Sequence, residues 1–187
     1  LLRIGSSGGE VARGLLADVT LLVVTNSLHV ARTRTANPSG GMGLTGGAVR
    51  RGDGGLGGEM TRQAIERFKV DLAVIGWSAL DEDGDILDYD PQEVGVSRRI
   101  VTLARRSVLV ADHTKLQRSA PVRVASLRDL AGVFTDLPFP APLAHRCPEW
   151  STPPDVAWPD GPPPAPPPQD GGAPPAPPTA RSPSGRS

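Results

Sequence analysis

The sequence predicts an α/β domain with a mostly parallel sheet and helices on both faces. Short apolar runs alternate along the chain with segments in which apolar residues recur at helical spacing. The runs are continuously apolar rather than alternating with polar residues, as is typical of strands buried on both faces of a sheet. Strands that alternate with helices in this way are typical of a parallel sheet with helical crossovers.

The apolar runs and the turn residues between them define the predicted elements. The runs VTLLVV and DLAVI have the pattern of buried strands, and both end at small or polar residues. The predicted strands are residues 1–4, 19–24, 71–75, 107–111 and 133–134, with a weaker one near Met42 and Leu44 and an apolar run at 122–124. The predicted helical segments are residues 10–16, 28–31, 59–68, 93–104 and 127–130.

Proline divides the chain into two regions. Only Pro38, Pro91 and Pro121 precede Leu137, whereas the segment from Pro159 onward is rich in proline and nearly free of large apolar side chains. Such a composition cannot bury enough surface to offset the entropy lost on ordering. We therefore predict one folded domain over residues 1–136 and a disordered, locally polyproline II tail over residues 137–187.

Composition also excludes several classes of function. The chain has 20 basic and 20 acidic residues, so we expect no binding of nucleic acid or of a membrane by this chain alone. Cys147 is the single cysteine, which excludes a disulfide framework and a zinc cluster. No signal peptide or transmembrane run is visible, so a cytoplasmic protein is expected, with no cofactor. The chain starts at Leu1 rather than methionine, which suggests a fragment or a misplaced gene start.

Four polar clusters follow predicted strands and indicate a ligand site. They are Gly5-Ser6-Ser7, Thr25-Asn26-Ser27, Gly76-Trp77-Ser78 and Asp112-His113-Thr114-Lys115. The carboxyl ends of parallel strands share one edge of the sheet, where ligands of α/β domains bind. We therefore expect these clusters to converge on one site.

The residue types in these clusters suit a phosphorylated ligand, although each has a plainer interpretation. A Gly-Ser-Ser turn that opens a helix offers N–H and hydroxyl donors to an anion, or it caps the helix. Lys115 can neutralise a phosphate or carboxylate, or it can be a solvated surface lysine. Glu93 can accept a hydrogen bond from a ligand hydroxyl, or it can only favour the start of its helix.

Other residues that could suggest a metal or catalytic site are better explained by a structural role. The run DEDGD at residues 81–85 lacks the spacing of a calcium loop and is interpreted as a solvated turn. His113 follows Asp112, but neighbours in a strand point to opposite faces, which favours a partnered structural histidine. Trp77 lines a pocket or packs in the core, and we favour the core. The sequence contains no nucleophile elbow, phosphate-binding P-loop or dinucleotide fingerprint.

Three stretches resemble the C-terminal domain of DeoR-family transcriptional regulators: residues 46–90, 92–101 and 108–136. The similar features are the Gly46-Gly47 turn, the segment of residues 71–84, the helix that begins near Glu93, and DHTK at residues 112–115. Upstream, IGSS and VTNSLHVA are similar to two further family segments. The resemblance implies a fold like that of ribose-5-phosphate isomerases.

The resemblance also implies a function and a set of site residues. It implies an effector-binding domain that responds to a phosphorylated sugar or polyol and controls DNA binding by a winged helix-turn-helix domain absent from this chain. Members of the family usually work as oligomers, so a homo-oligomer is expected. By position, the implied ligand contacts are Ser6, Ser7, Asn26 and Lys115, with Gly5, Gly47 and Gly76 allowing close backbone approach and Glu93 as a second-tier contact.

Departures from the family pattern leave two alternatives open. The strand-end aspartate is Arg3 here, and Trp77 replaces a small residue, which we expect to narrow the pocket. We also expect proline-rich sequence after Asp136 to replace the last helix and strand. One alternative is a sugar-phosphate isomerase or deaminase with Glu93 or Asp112 as its base. The other is a truncated, non-functional remnant with an exposed sheet edge.

Overall fold

A computed structural model of the chain describes residues 21–36, 40–116, 118–150, 152 and 154–156. The strands are β1 (Val23–Thr25), β2 (Met42–Leu44), β3 (Ala48–Val49), β4 (Leu56–Gly57), β5 (Val70–Ile75), β6 (Ala79–Leu80), β7 (Asp85–Asp88), β8 (Ala104–Ala111), β9 (Val122–Ser126), β10 (Gly132–Thr135) and β11 (Pro154–Val156). The helices are α1 (Leu28–Thr35), α2 (Glu59–Glu66), α3 (Pro91–Leu103) and α4 (Ala141–Arg146). Short 3-10 turns cover His113–Lys115, Leu127–Asp129 and Cys147–Trp150.

A four-stranded parallel sheet forms the centre of the fold. Its order is β11-β10-β8-β5, and every neighbouring pair in it is parallel. Strands β1 and β2 form a second parallel pair. The predicted fold class, a mostly parallel sheet with helices, is therefore confirmed.

Apolar residues cover both faces of the central strands, as continuously apolar strands require. Ile75 and Leu109 are fully buried and belong to the large core cluster, which also contains Ile100 of α3. Their neighbours Val74 and Val108 belong to a second cluster with Val30 of α1. Successive side chains of a strand point to opposite faces, so helices α3 and α1 pack on opposite sides of the sheet.

Helix α3 is the best-defined helix in the sequence, and it begins at the candidate site. Asp90 caps its N-terminus by accepting a hydrogen bond from the Gln92 N–H at 2.9 Å, and Pro91 occupies the first turn. Val96 and Ile100 lie four residues apart and are both buried in the core. The cap and the buried face together fix the position of Glu93 in the first turn.

Two antiparallel additions were not predicted. Strands β3 and β4 form a short hairpin, and β6, β7 and β9 form a three-stranded sheet. The hairpin strands are two residues long, and Ala48 and Val49 are exposed, so they leave no hydrophobic pattern. Strand β7 begins and ends with aspartate, and its first residue, Asp85, is the last residue of the predicted turn.

The expectation that the last helix and strand are missing is wrong. Helix α4 follows Pro140, and β11 pairs in parallel with β10, with Val133 opposite Pro154. Leu143 and Trp150 from this segment are buried in the main core. Proline-rich composition concealed these elements, although proline is compatible with the first turn of a helix and with an edge strand. Packed structure thus extends beyond Asp136.

Some predictions fall outside the described residues. The strand at residues 1–4, the helix at 10–16 and most of the proline-rich tail, residues 157–187, are among them. Within the described ranges, no helix is long and apolar enough to cross a membrane.

Candidate functional site

The parallel strands bring their carboxyl ends to one edge, and a cavity of about 390 Å³ lies there. Strand β5 ends at Ile75 and β8 at Ala111, so Gly76 and Lys115 follow at the same edge. The hairpin β3–β4 and the start of α3 supply the remaining walls. The lining residues are Arg50, Asp53, Gly76, Trp77, Ser78, Asp88, Tyr89, Asp90, Glu93 and Lys115.

Arg50 is the centre of the charge network in this cavity. Its guanidinium contacts Asp53 at the turn of its own hairpin, with Nε 2.7 Å from Oδ1. It also forms an ion pair with Glu93 and lies 3.9 Å from Asp90. The hydrogen bond to Asp53 raises the pKa of Arg50 and lowers the pKa of the Asp53 carboxyl. The network joins the hairpin to the first turn of α3.

A second cavity of about 240 Å³ also borders this network. It shares Arg50, Asp90 and Glu93 with the first cavity. Its further lining residues are Asn26, Ala48, Val49, Gly55, Leu56, Gly57, Gln92 and Val96. Arg50 therefore separates two adjoining spaces at the same edge of the sheet.

A buried hydroxyl–carboxylate pair forms part of the first cavity. Asp88, on β7, is almost fully buried and accepts hydrogen bonds from the Ser78 hydroxyl at 3.0 Å and from the Tyr89 N–H at 2.7 Å. These donors satisfy one oxygen of the carboxylate, as burial of a charged group demands. Asp88 and Ser78 thus supply hydrogen-bonded polar groups in the cavity that Lys115 also lines.

The structure brings together four of the residues predicted from the sequence. Gly76, Glu93 and Lys115 line the first cavity, and Asn26 and Glu93 line the second. The Asn26 side chain is buried and donates a hydrogen bond to the carbonyl of Leu56 at 2.9 Å, so it also anchors β4. Gly5, Ser6 and Ser7 lie outside the described residues.

Gly47 lines neither cavity, and its backbone explains why it is glycine. Its φ is 138°, a value that side chains rarely tolerate. A Cβ there would overlap the Thr61 Oγ1 and lie 2.6 Å from the carbonyl of Gly57. Thr61 is fully buried and donates to the Gly46 carbonyl at 2.6 Å. The turn at Gly46 and Gly47 therefore allows helix α2 to pack closely against the hairpin.

Sequence reasoning missed five lining residues: Arg50, Asp53, Asp88, Tyr89 and Asp90. Arg50 and Asp53 belong to RRGDGG, which has the composition of a turn. An arginine and an aspartate three residues apart across such a turn were the available indication of an ion pair. Asp88 and Asp90 gave no comparable indication, because their convergence depends on the unpredicted antiparallel sheet.

Three structural interpretations are confirmed. His113 has a partner, Asp136, which lies 2.7 Å from its Nδ1 and also accepts from its backbone N–H. The DEDGD segment is a turn in which the Asp81 side chain accepts from the Asp85 N–H at 2.8 Å. Trp77 is buried in the main core, and it is also among the residues that line the first cavity. The described residues contain no group of ligands able to hold a metal ion.

The structure defines an α/β domain with a polar-lined cavity at the carboxyl edge of a parallel sheet. The chain belongs to the DeoR family of C-terminal sensor domains, whose family model matches residues 1–137. The match covers the sheet strands β5, β8 and β10 and all the residues that line both cavities.

Individual relatives are transcriptional repressors. The chain is 43% identical over 136 residues to the glycerol-3-phosphate regulon repressor of Haemophilus influenzae, covering 72% of this chain and 53% of that protein. It is 39% identical over 137 residues to the repressor of the same name from Escherichia coli, covering 73% and 54%. It is 34% identical over 145 residues to the HTH-type transcriptional repressor CsqR of Escherichia coli, covering 78% and 56%. The chain spans about half the length of these relatives.

Proposed function

We propose that this chain is the effector-binding domain of a transcriptional repressor and that its effector is a phosphorylated sugar or polyol. The observation that supports this most strongly is the cavity at the carboxyl edge of the sheet. It places two cations, Arg50 and Lys115, beside four carboxylates in a space of ligand size.

The two kinds of charge suit the two ends of such a ligand. Arginine and lysine bind phosphate through charge-assisted hydrogen bonds. The carboxylates of Asp88 and Glu93 can accept hydrogen bonds from hydroxyls, as can the hydroxyl of Ser78. A phosphate alone would be repelled by so many carboxylates, whereas a phosphorylated polyol has donors for them.

The effector phosphate would compete with carboxylates for Arg50. The side chain of Arg50 is 37% exposed, and Asp53 and Asp90 are exposed to a similar degree. Exposed ion pairs contribute little free energy, so replacing the Asp53 or Asp90 carboxylate at Arg50 by a phosphate costs little free energy. This replacement would loosen the contact between the hairpin β3–β4 and helix α3. Ligand binding would therefore change how these two elements pack.

The names of the relatives suggest the first ligand to test. Two of them are called glycerol-3-phosphate regulon repressors, which makes glycerol 3-phosphate the leading candidate among phosphorylated polyols. We further propose that binding alters the DNA affinity of a winged helix-turn-helix domain and that the protein acts as a homo-oligomer.

The alternative of an isomerase or deaminase is less well supported. Glu93, one candidate base, is held in an ion pair with Arg50. Asp112, the other candidate, accepts a hydrogen bond from the Thr114 N–H and caps the 3-10 turn. One ground for the remnant alternative, a missing last strand, is removed, because β11 pairs with β10.

Calorimetric titration of the whole chain tests the proposed function. Glycerol 3-phosphate, ribose 5-phosphate and glucosamine 6-phosphate are each compared with the unphosphorylated parent. We expect binding of a phosphorylated compound and none of its parent. Arg50→Ala and Lys115→Ala should each weaken it about tenfold or more, because each removes a hydrogen bond to a charged group.

Lys69→Ala is the matched control. Lys69 is exposed and directly precedes β5, at the opposite edge of the sheet from Lys115. It should leave binding unchanged. Equal affinity for phosphorylated and parent compounds, or equal loss in all three variants, would contradict the site. Turnover of any of the sugar phosphates would establish the enzyme alternative instead.

A further inference from the structure

We propose that Asp136 is a positioning residue of the effector site: it fixes the turn that carries Lys115 and so raises the affinity for a phosphorylated ligand without contacting it. The inference rests on the proposed function, in which Lys115 contacts the effector phosphate. It adds to the site a residue that lines neither cavity.

The order of the parallel strands brings Asp136 next to this turn. Strand β10 pairs with β8, and Thr135 lies opposite Ala111 at the carboxyl edge of the sheet. Asp136 therefore follows β10 at the level where Asp112 follows β8. The chain after Asp112 continues as the 3-10 turn His113–Lys115.

The Asp136 carboxylate contacts the beginning of this turn through both of its oxygens. Its Oδ1 accepts a hydrogen bond from the His113 N–H at 2.6 Å, and its Oδ2 lies 2.7 Å from His113 Nδ1. One contact holds the backbone of His113 and the other holds its ring. Because the two residues are 23 positions apart, these contacts join the turn to the neighbouring strand.

Further hydrogen bonds give the turn its shape. The Asp112 Oδ1 accepts from the Thr114 N–H at 3.1 Å, and the Lys115 N–H donates to the Asp112 carbonyl at 3.2 Å. These bonds lie within the turn, so they do not hold it against β10. The contacts with Asp136 do so, and they thereby fix the point from which the Lys115 side chain extends.

A fixed starting point matters for lysine, because its charge lies at the end of a flexible side chain. Lys115 is half-buried and lines the first cavity together with Arg50. When the geometry that binds a ligand is populated only part of the time, affinity falls in proportion to that fraction. A turn that held this geometry about a tenth to a third of the time would bind about three- to tenfold more weakly.

The charge of Asp136 taken alone predicts the opposite result. Asp136 is a carboxylate at the edge where the phosphate would bind, so removal of its negative charge should favour an anion by Coulomb's law. The positioning role predicts weaker binding despite the loss of that charge. The sign of the change in affinity therefore separates the two effects.

Calorimetric titration of the full chain with glycerol 3-phosphate, ribose 5-phosphate and glucosamine 6-phosphate tests this inference, with the variants Asp136→Ala and Asp136→Asn. Both variants lose the same charge, but asparagine keeps a carbonyl that can accept from the His113 N–H. We expect Asp136→Ala to weaken binding about three- to tenfold and Asp136→Asn to retain most of the wild-type affinity. In a Lys115→Ala background, Asp136→Ala should cause no further loss, because the lysine that it positions is absent.

Asp81→Ala is the matched control. The Asp81 carboxylate also holds a turn, accepting from the Asp83 N–H at 3.0 Å and the Asp85 N–H at 2.8 Å, but it does not line the first cavity. This variant should leave the affinity unchanged, and cooperative urea unfolding shows that each variant is folded. If Asp136→Ala does not fold, His113→Phe removes the ring contact alone and should weaken binding in the same direction by less.

The outcomes distinguish this inference from the proposed function. The positioning role is overturned, and the phosphate site stands, if Asp136→Ala binds as tightly as wild type or more tightly. Equal losses in Asp136→Ala and Asp136→Asn overturn it as well, as does an undiminished effect of Asp136→Ala in the Lys115→Ala background. If wild type binds none of the three phosphorylated compounds, or if Lys115→Ala binds them as wild type does, the proposed function fails and this inference fails with it.

Discussion

The centre of the sheet consists of buried apolar side chains, whereas the layer at its carboxyl edge consists of charged side chains that are partly exposed. In the centre, Ile75 of β5, Leu109 of β8 and Val133 of β10 lie opposite one another and are fully buried. At the edge, Arg50 and Glu93 are held by charge, and Arg50 remains more than a third exposed. The first region is stabilised by apolar burial and the second by ion pairs that compete with water.

This difference implies that the centre of the sheet determines the stability of the fold and that the charged edge determines ligand binding. Each fully buried aliphatic side chain contributes about 1.5–3 kcal/mol to folding, whereas an exposed ion pair contributes about 1 kcal/mol or less. Substitutions in the centre should therefore lower the free energy of unfolding and substitutions at the edge should change binding. Four variants test this division, in decreasing order of the expected effect.

Leu109→Ala should cause the largest loss of stability. Leu109 is fully buried between Ile75 and Val133, so truncation leaves a cavity, at a cost of about 2–5 kcal/mol. Urea unfolding of the full chain measures the change. Leu72→Ala, on the exposed part of β5, is the control and should cost under about 1 kcal/mol. Similar losses for both variants would mean that the sheet centre is not the core.

Gly47→Ala should have the next largest effect. Its positive φ costs about 1–3 kcal/mol for a residue with a side chain, and overlap with Thr61 adds to this. Gly57→Ala is the control, because a Cβ at Gly57 would meet nothing within 4 Å. Thermal unfolding should separate the two variants clearly. If Gly47→Ala is as stable as wild type but binds ligand poorly, this glycine serves the ligand rather than the packing of α2.

Arg50→Ala should change stability by about 1 kcal/mol, despite its three carboxylate partners, because Arg50, Asp53 and Asp90 are each more than a third exposed and only Glu93 is largely buried. Its effect on binding of a phosphorylated ligand should exceed this. Urea unfolding and calorimetry on the same preparation compare the two quantities. A loss of several kcal/mol in stability would show that the hairpin β3–β4 depends on this network for folding.

Asp53→Asn should have the smallest effect, and it should depend on pH. The hydrogen bond from Arg50 lowers the pKa of Asp53 below its ordinary 3.8 in the folded state. A lowered pKa stabilises the fold above pH 3.8, and this stabilisation is lost as the pH falls from there through the folded pKa. The difference in unfolding free energy between wild type and the variant, under about 1 kcal/mol, should be constant from pH 7 to about pH 5 and vanish at lower pH.

Urea midpoints at several pH values measure the Asp53 effect, with Asp71→Asn as the control. Asp71 is exposed at the start of β5 and lies 3.4 Å from Arg105. A difference between wild type and Asp53→Asn that grows as the pH falls would contradict the assigned direction of the shift.

The same contrast explains what the sequence could predict. Strands within runs such as VTLLVV and DLAVI are recognisable because most of their side chains are apolar. The ends of the predicted strands then locate Gly76 and Lys115. The charge network is not recognisable in this way, because Arg50, Asp90 and Glu93 come together through a hairpin and a three-stranded sheet with almost no periodicity. The helix α4 and strand β11 were missed for another reason: their prolines resemble those of the tail, and the few core residues of this segment, Phe139, Leu143, Cys147 and Trp150, are scattered among them.

Hydrogen exchange of the full chain, with and without glycerol 3-phosphate, tests the central claim most directly, because it locates the ligand without any substitution. Binding to a pre-formed site should slow exchange of amides around it. We expect protection in residues 46–57, 76–78, 88–93 and 112–116, and none in α4 or β11 beyond their ligand-free rates. Protection confined to α4 and β11, or its absence at the hairpin and at Lys115, would contradict the assignment of the carboxyl edge as the effector site.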